Sequence, residues 1–251
     1  MSEDQPITLT IDGPVRWLAF DRPDKANALN LALARDFLSQ VRDAAADPAC
    51  TVLVLTGRGR FFSAGGDVAQ IVQASDPAAF VDELAGTMHT ALVELRNSQL
   101  VVVAAVGGMA AGAGAGIAFS ADITICAESV VFVPAYLDAG LSPDCGVSFF
   151  LRQAAGRQRA TEYLLGGKKL TAGRAHEWGL ITHVVADADF SAAVHALVAG
   201  LAAKELQSWA TIKSLLRDDG LAAHLDEERR GIAAMVEHPV TAARLLVFTH
   251  R

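Results

Sequence analysis

The chain has 251 residues, 52% of them hydrophobic and 20% charged, with a formal net charge of −7. That length fits one large domain, or one domain with a small appendage. The composition excludes a disordered chain, and the acidic balance excludes a general nucleic-acid surface, leaving room only for a local basic patch facing an anionic ligand.

The three cysteines, Cys50, Cys126 and Cys145, are odd in number and widely spaced. They form neither a disulfide framework nor a zinc pattern, so the expectation is a reducing cytoplasm and no metal. The first residues, MSEDQPITLT, are acidic and lack an apolar signal core. Leu100 to Ala121 carries no charge and approaches the length of a membrane span. It opens on Val101-Val102-Val103 and continues in glycine and alanine, which predicts a strand, a turn and a buried helix, and no membrane segment.

In chain order, Ile7–Ile11 and Val15–Phe20 read as a hairpin closed by Asp12-Gly13-Pro14. Asn30 caps a helix whose stripe is Ala34, Phe37, Leu38, Val41 and Ala45, and Asp47-Pro48 ends it. Thr51–Thr56 is a continuous apolar strand of the kind buried on both faces. Residues 57–66 read as a loop. Phe80, Leu84, Met88, Leu92 and Leu95 mark a long amphipathic helix. Val101–Val106 is a second buried strand, followed by the Gly-rich turn and helix, then short strands at Ile123–Cys126 and Val130–Val133. Beyond about residue 146 the pattern is mostly helical, over roughly 146–155, 158–165, 172–178, 190–203, 204–217 and 221–238. Strand–helix alternation followed by a helical tail predicts an α/β core with a helical C-terminal appendage.

Two small-residue segments stand out. Phe61-Phe62-Ser63-Ala64-Gly65-Gly66-Asp67 follows a buried strand. Gly107-Gly108-Met109-Ala110-Ala111-Gly112-Ala113-Gly114-Ala115-Gly116 leads from a strand into a helix. Small residues let a ligand approach the backbone, and free N–H groups at a helix start favour negative charge. Close packing of a buried helix on a sheet explains the second segment equally well. A dinucleotide fingerprint fails because Ile117 stands where the third glycine belongs, and a phosphate loop fails because no Gly-Lys-Ser/Thr follows.

Together with Arg22-Pro23, Asn27-Ala28-Leu29-Asn30, Ala121-Asp122, Gly140-Leu141-Ser142-Pro143-Asp144 and Ala175-His176-Glu177-Trp178-Gly179-Leu180, these segments resemble the crotonase (enoyl-CoA hydratase/isomerase) superfamily in order and spacing over nearly the whole chain. The resemblance implies an α/β fold: a crotonase-like spiral of ββα repeats over residues 1–190 and a helical C-terminal trimerisation region over 191–251. It implies a homotrimer or dimer of trimers, an acyl-CoA substrate, and no cofactor beyond the coenzyme A of that substrate. It also implies two oxyanion-hole donors, the N–H groups of Gly66 and Ala113. Removing a proton alpha to a thioester places charge on the carbonyl oxygen, and fixed N–H donors stabilise that enolate more than the ground state.

Hydratases of the family carry two glutamates, at the positions held here by Gly116 and Tyr136. Without two acid–base groups, water addition should be slow. Asp144 matches the acid used by one branch of the isomerases. Pro143-Asp144-Cys145-Gly146 and the Ala175–Gly179 segment are similar to the isomerases of bacterial phenylacetate degradation, which convert a ring epoxide CoA ester to an oxepin and also shift double bonds. A bond shift needs one base, and Asp144 meets that need; capping of the following helix is the competing role for this residue. Tyr136 reads as a pocket wall, Asp138 as pointing elsewhere and Asp67 as a loop brace. His176 and His183 read as structural, and Ser142 lacks a nucleophile elbow.

The resemblance sets the CoA moiety against Lys25-Ala26-Asn27-Ala28 and against Ala64, Gly66, Asp67 and Val68, with Arg22 and Lys25 as local phosphate partners. The expected activity is an acyl-CoA isomerase working through an enolate. The alternatives are a hydratase, a hydrolase or decarboxylase of the same superfamily, and a CoA-binding protein with little catalysis.

Overall fold

The computed structural model describes residues 6–204, 206–216 and 220–248. Strands β1 (Ile7–Asp12) and β2 (Val15–Phe20) pair antiparallel across Gly13-Pro14. Helix α1 (Leu31–Ala46) starts where the Asn30 side chain accepts the Leu33 N–H, and buries Leu33, Ala34, Phe37, Val41 and Ala44. Leu38 of the expected stripe is only partly buried and Ala45 is exposed, because the apolar face turns toward Leu33 and Ala44.

Three strand–strand–helix units follow. The first is β3 (Val52–Gly57), β4 (Phe61–Ser63), α2 (Val68–Gln73) and α3 (Pro77–Asn97). The second is β5 (Val101–Val106), β6 (Met109–Ala111) and α4 (Ala113–Ser120). The third is β7 (Ile123–Ala127), β8 (Val131–Val133) and α5 (Tyr136–Ala139). The remainder comprises α6 (Val147–Gly166), β9 (Leu170–Thr171), α7 (Ala172–Glu177), β10 (His183–Val185), α8 (Phe190–Ala202), α9 (Leu206–Leu215), α10 (Leu221–Val236) and α11 (Pro239–Phe248).

The first strand of each unit enters a six-stranded sheet of order β1-β2-β3-β5-β7-β10. The second enters a four-stranded sheet of order β4-β6-β8-β9. Each unit therefore makes one turn of the expected ββα spiral. Strands β2, β3, β5, β7 and β10 run parallel, and Val101–Val106 is buried throughout, as a doubly covered strand should be. One face of the sheet packs with Leu53, Leu55, Val102 and Ala104 into the main core. The other face, with Val52, Val54, Val103 and Ile125, is covered by Val194 and Val198 of α8.

Four short strands were not read from the sequence. β4 and β6 lie in segments read as loop and turn, and β9 and β10 in the gaps between the expected helices. Each has two or three residues, too few to set up a period of two. The two expected helices after residue 146 form one run broken at Gly156, whose φ of 78° interrupts the helical geometry. Among the described residues no helix is long and apolar enough to cross a membrane.

Candidate active site

The ends of β4 and β6, the start of α4, α5 and the turn before α6 enclose a cavity of about 280 Å³. Its wall is apolar, with Leu29, Ile71, Val81, Leu84 and Met88 prominent. Ala28, Ala64, Gly66, Asp67, Val68, Ala113, Tyr136 and Asp144, eight of the positions singled out in the sequence, all line it.

Gly66 and Ala113 sit side by side because their segments touch. A Cβ on Gly65 (φ 85°) would lie 2.9 Å from the Ala111 carbonyl oxygen and 3.3 Å from the Ala113 nitrogen. A larger residue would push the two backbones apart. Among the described residues, neither the Gly66 nor the Ala113 N–H meets a backbone acceptor in the turns around it, while Asp67 N–H donates to Leu29 and Ala115 N–H to Gly112. Ala113 is the first residue of α4, where an N–H has no helical partner.

Asp144 is 8% exposed and faces this cavity. Its side chain does not cap α6. That role falls to Glu228 of α10, whose carboxylate accepts the N–H of Gly146 at 2.7 Å and of Ser148 at 3.2 Å, and also the Ser148 hydroxyl. Glu228 itself is buried and lies 3.5 Å from His224 Nε2. A residue 84 positions beyond Asp144 thus takes over the duty that would otherwise occupy it.

The partner of Asp144 is His89, in the middle of α3, with Nε2 2.6 Å from Asp144 Oδ1. Both residues are buried. His89 Nδ1 is buried and has no hydrogen-bond partner among the described residues. The Cys145 N–H donates to the same Nε2 at 3.3 Å. The Cys145 thiol lies 3.7 Å from Asp144 Oδ2. Burial pushes that thiol well above its usual range, with the charge of Asp144 adding to the effect. It therefore stays protonated and is a weak donor to the carboxylate.

Tyr136 is a wall residue with a second duty. Its hydroxyl donates to the Asp144 carbonyl at 2.9 Å and, buried, is pushed well above the normal tyrosine range. Gly116 allows no side chain: a Cβ there would collide with the carbonyl oxygen of Cys145. The position of one family glutamate is sterically closed, and the other holds a neutral phenol already bonded to backbone.

Of the two cations that the sequence reading set beside CoA, Arg22 is bound up in the loop. Its guanidinium donates to Asp67 at 3.0 Å and to the Ala28 carbonyl. Asp67 also accepts the Gln70 N–H at the start of α2, so it is a brace. Lys25 is exposed on the short helical turn Pro23–Lys25, and Ala26 adopts a left-handed φ of 52° that returns the chain to Ala28 at the cavity. Arg22 and Lys25 do not line the cavity itself. Asp138 is exposed, and His176 bonds the Ile181 carbonyl.

His89, Asp144 and Cys145 offer three ligand atoms within 4.8 Å of one another. Their spacing is that of hydrogen bonds, with 2.6 Å between the nitrogen and the oxygen, so His89 Nε2 and Asp144 Oδ1 are committed to each other.

Sequence reasoning missed His89 and Glu228. Each is a single titratable residue inside an apolar stripe: His89 among Ala85, Met88 and Leu92, and Glu228 among Leu221, Leu225 and Ile232. A buried ionisable group must find a partner, which is the signal both carried.

The family model described as enoyl-CoA hydratase/isomerase matches residues 10–244. The 1,2-epoxyphenylacetyl-CoA isomerase of Escherichia coli K12 is 34% identical over 87% of this chain and 86% of its own length. The 4-chlorobenzoyl coenzyme A dehalogenase-2 of an Arthrobacter species is 30% identical over 98% of this chain and 91% of its own. An enoyl-CoA hydratase structure from Mycobacterium avium subsp. paratuberculosis superposes with a TM-score of 0.90 at 27% identity, covering 98% of this chain and all of that one.

Proposed function

The chain belongs to the enoyl-CoA hydratase/isomerase family, and on that premise we propose that it is an acyl-CoA isomerase that shifts a double bond through an enolate, with Asp144 as the single acid–base group. The observation that carries this reading is the state of the carboxylates in the cavity. Asp67 is tied to Arg22, whereas Asp144 faces an apolar wall free of cap duty, and position 116 has no room for a second acid.

In a 3-enoyl-CoA, Asp144 takes a proton from the carbon alpha to the thioester. The electron pair moves into the thioester, and the oxygen gains charge between the N–H groups of Gly66 and Ala113. Asp144 then returns the proton to the gamma carbon, and the double bond becomes conjugated. One proton leaves one carbon and arrives at another, so no water is consumed. Removing one such backbone donor from an oxyanion site costs about 3–4 kcal/mol in related chemistry, the scale of help expected here. His89 holds the carboxylate by one oxygen, Oδ1.

A second reading draws on the dehalogenase relative. A carboxylate beside an imidazole can displace a leaving group from an aryl-CoA, with the imidazole then activating the water that cleaves the ester. Against it, His89 is absent from the cavity wall and its Nε2 is engaged behind Asp144.

Within this reading the CoA phosphates meet Lys25. Within the same reading, three copies would assemble by covering exposed apolar residues such as Ile212, Leu215 and Leu216 near the end of α9. The test is incubation with 3-enoyl-CoA, 2-enoyl-CoA and 4-chlorobenzoyl-CoA in parallel. Conjugation of the first without hydration of the second supports the isomerase; fast water addition contradicts it, and chloride release selects the second reading.

A further inference from the structure

The apolar end of the cavity is built by the C-terminal helices of the same chain. Ile232 of α10 reaches the cavity and is 6% exposed. It packs with Ile71, Val81, Ala85 and Ala139, and Val236 and Leu245 close the cluster behind it. The cavity lining beside Ile232, formed by Ile71, Val81, Ala85 and Ala139, is apolar.

The wall is anchored on both sides of α10. One turn before Ile232, Glu228 holds the N–H groups of Gly146 and Ser148, at the turn that carries Asp144. Three residues before it, Arg229 binds both oxygens of Asp82 on α3, at 2.6 and 2.8 Å. A Cβ on Gly86 would touch the Arg229 side chain at 3.4 Å, so the two helices meet closely there. Positions 228 and 232 share one face of a helix. The contact that orders the Asp144 turn therefore also fixes where Ile232 stands.

We propose that Ile232 sets the size of the acyl group this protein accepts, and that the substrate class is a compact, wholly apolar acyl thioester, either an aryl-acetyl group or a short unsaturated chain. This rests on the acyl-CoA reading of the cavity. At about 280 Å³ the enclosed space falls just below the range of roughly 300–1,000 Å³ for sites that bury a drug-sized ligand. It suits an acyl group and its thioester, with the rest of CoA outside. A rigid wall of packed side chains does not stretch to admit further methylenes. A terminal carboxylate or hydroxyl would meet that apolar lining, which disfavours acyl groups ending in such groups.

The experiment measures dissociation constants for saturated straight-chain acyl-CoAs of increasing length, for phenylacetyl-CoA and for succinyl-CoA. Wild type is compared with Ile232→Ala, Ile232→Val and Ile232→Phe, each checked for folding by circular dichroism. Saturated thioesters do not react, so the result is independent of turnover. The wild type should tighten with chain length, then weaken past a limit, and bind succinyl-CoA poorly. Ile232→Ala should move that limit to longer chains with about a tenfold gain for the first chain the wild type rejects. Ile232→Val should move it the same way by less, and Ile232→Phe toward shorter chains. A length profile unchanged in all three folded variants would overturn the role of Ile232 while leaving the isomerase reading standing. Failure of the wild type to bind any acyl-CoA would overturn both.

Discussion

His89 on α3 and Asp144 in the turn before α6 are 55 residues apart in sequence, yet their side chains meet at 2.6 Å in a buried contact. The consequence is a carboxylate with each oxygen in a different environment. Oδ1 meets His89 Nε2 and the Cys145 thiol lies beside Oδ2.

Replacing His89 with Leu should lower kcat by about 10- to 100-fold, with KM changed much less. A hydrogen bond to a charged group contributes about 1.5–3 kcal/mol, and its loss leaves a misplaced buried carboxylate. His89→Gln, whose amide can donate to Oδ1, should recover part of that loss. Steady-state kinetics of the two variants checks this; equal loss in both would mean that His89 only fills space.

Glu228→Ala should destabilise the fold by about 1–2 kcal/mol, the usual cost of losing an N-terminal helix cap. At this chain length that corresponds to a fall in Tm of about 2–4 °C per kcal/mol. Thermal unfolding measures it directly. An unchanged Tm would mean that water replaces the carboxylate at Gly146 and Ser148 without cost.

Gly116→Glu should not create a hydratase. The new Cβ meets the Cys145 carbonyl before any carboxylate can reach the cavity. The expected result is a destabilised protein, by about 1–3 kcal/mol or more from overpacking, with no gain in water addition to a 2-enoyl-CoA. A folded variant that hydrates would show that the α4–α6 contact yields.

All three thiols should resist alkylation in the native protein near pH 8. Burial raises Cys50, Cys126 and Cys145 alike, so the reactive thiolate is disfavoured in the folded state and released on unfolding. Thiol titration with and without denaturant checks this. Fast native labelling of Cys145 would contradict the protonated thiol beside Asp144.

Local signals carried much of the fold. The cap at Asn30, the apolar run Val101–Val106 and the glycine-to-alanine stretch leading into α4 were legible because each is set by neighbours in sequence. The segments bearing Gly66 and Ala113 and the position of Asp144 were legible through family resemblance. The function of the Asp144 turn was not, because it depends on contacts from far away. His89 comes from α3 and Glu228 from α10, and only the folded packing brings them to residues 144–148. The same holds for Arg22, which reads as a free cation near a CoA site but is drawn into the loop by Asp67 and Ala28. β4 and β6 went unread for a simpler reason: three residues in a glycine-rich setting show no alternation.

The most direct test of the account is Asp144→Asn, assayed for conversion of a 3-enoyl-CoA to its conjugated isomer alongside the affinity for a saturated acyl-CoA. A positioned acid–base group contributes about 10²- to 10⁴-fold to rate. The account predicts a loss of that size in kcat with acyl-CoA binding retained; an Asp144→Asn protein that still isomerises at the wild-type rate would contradict it.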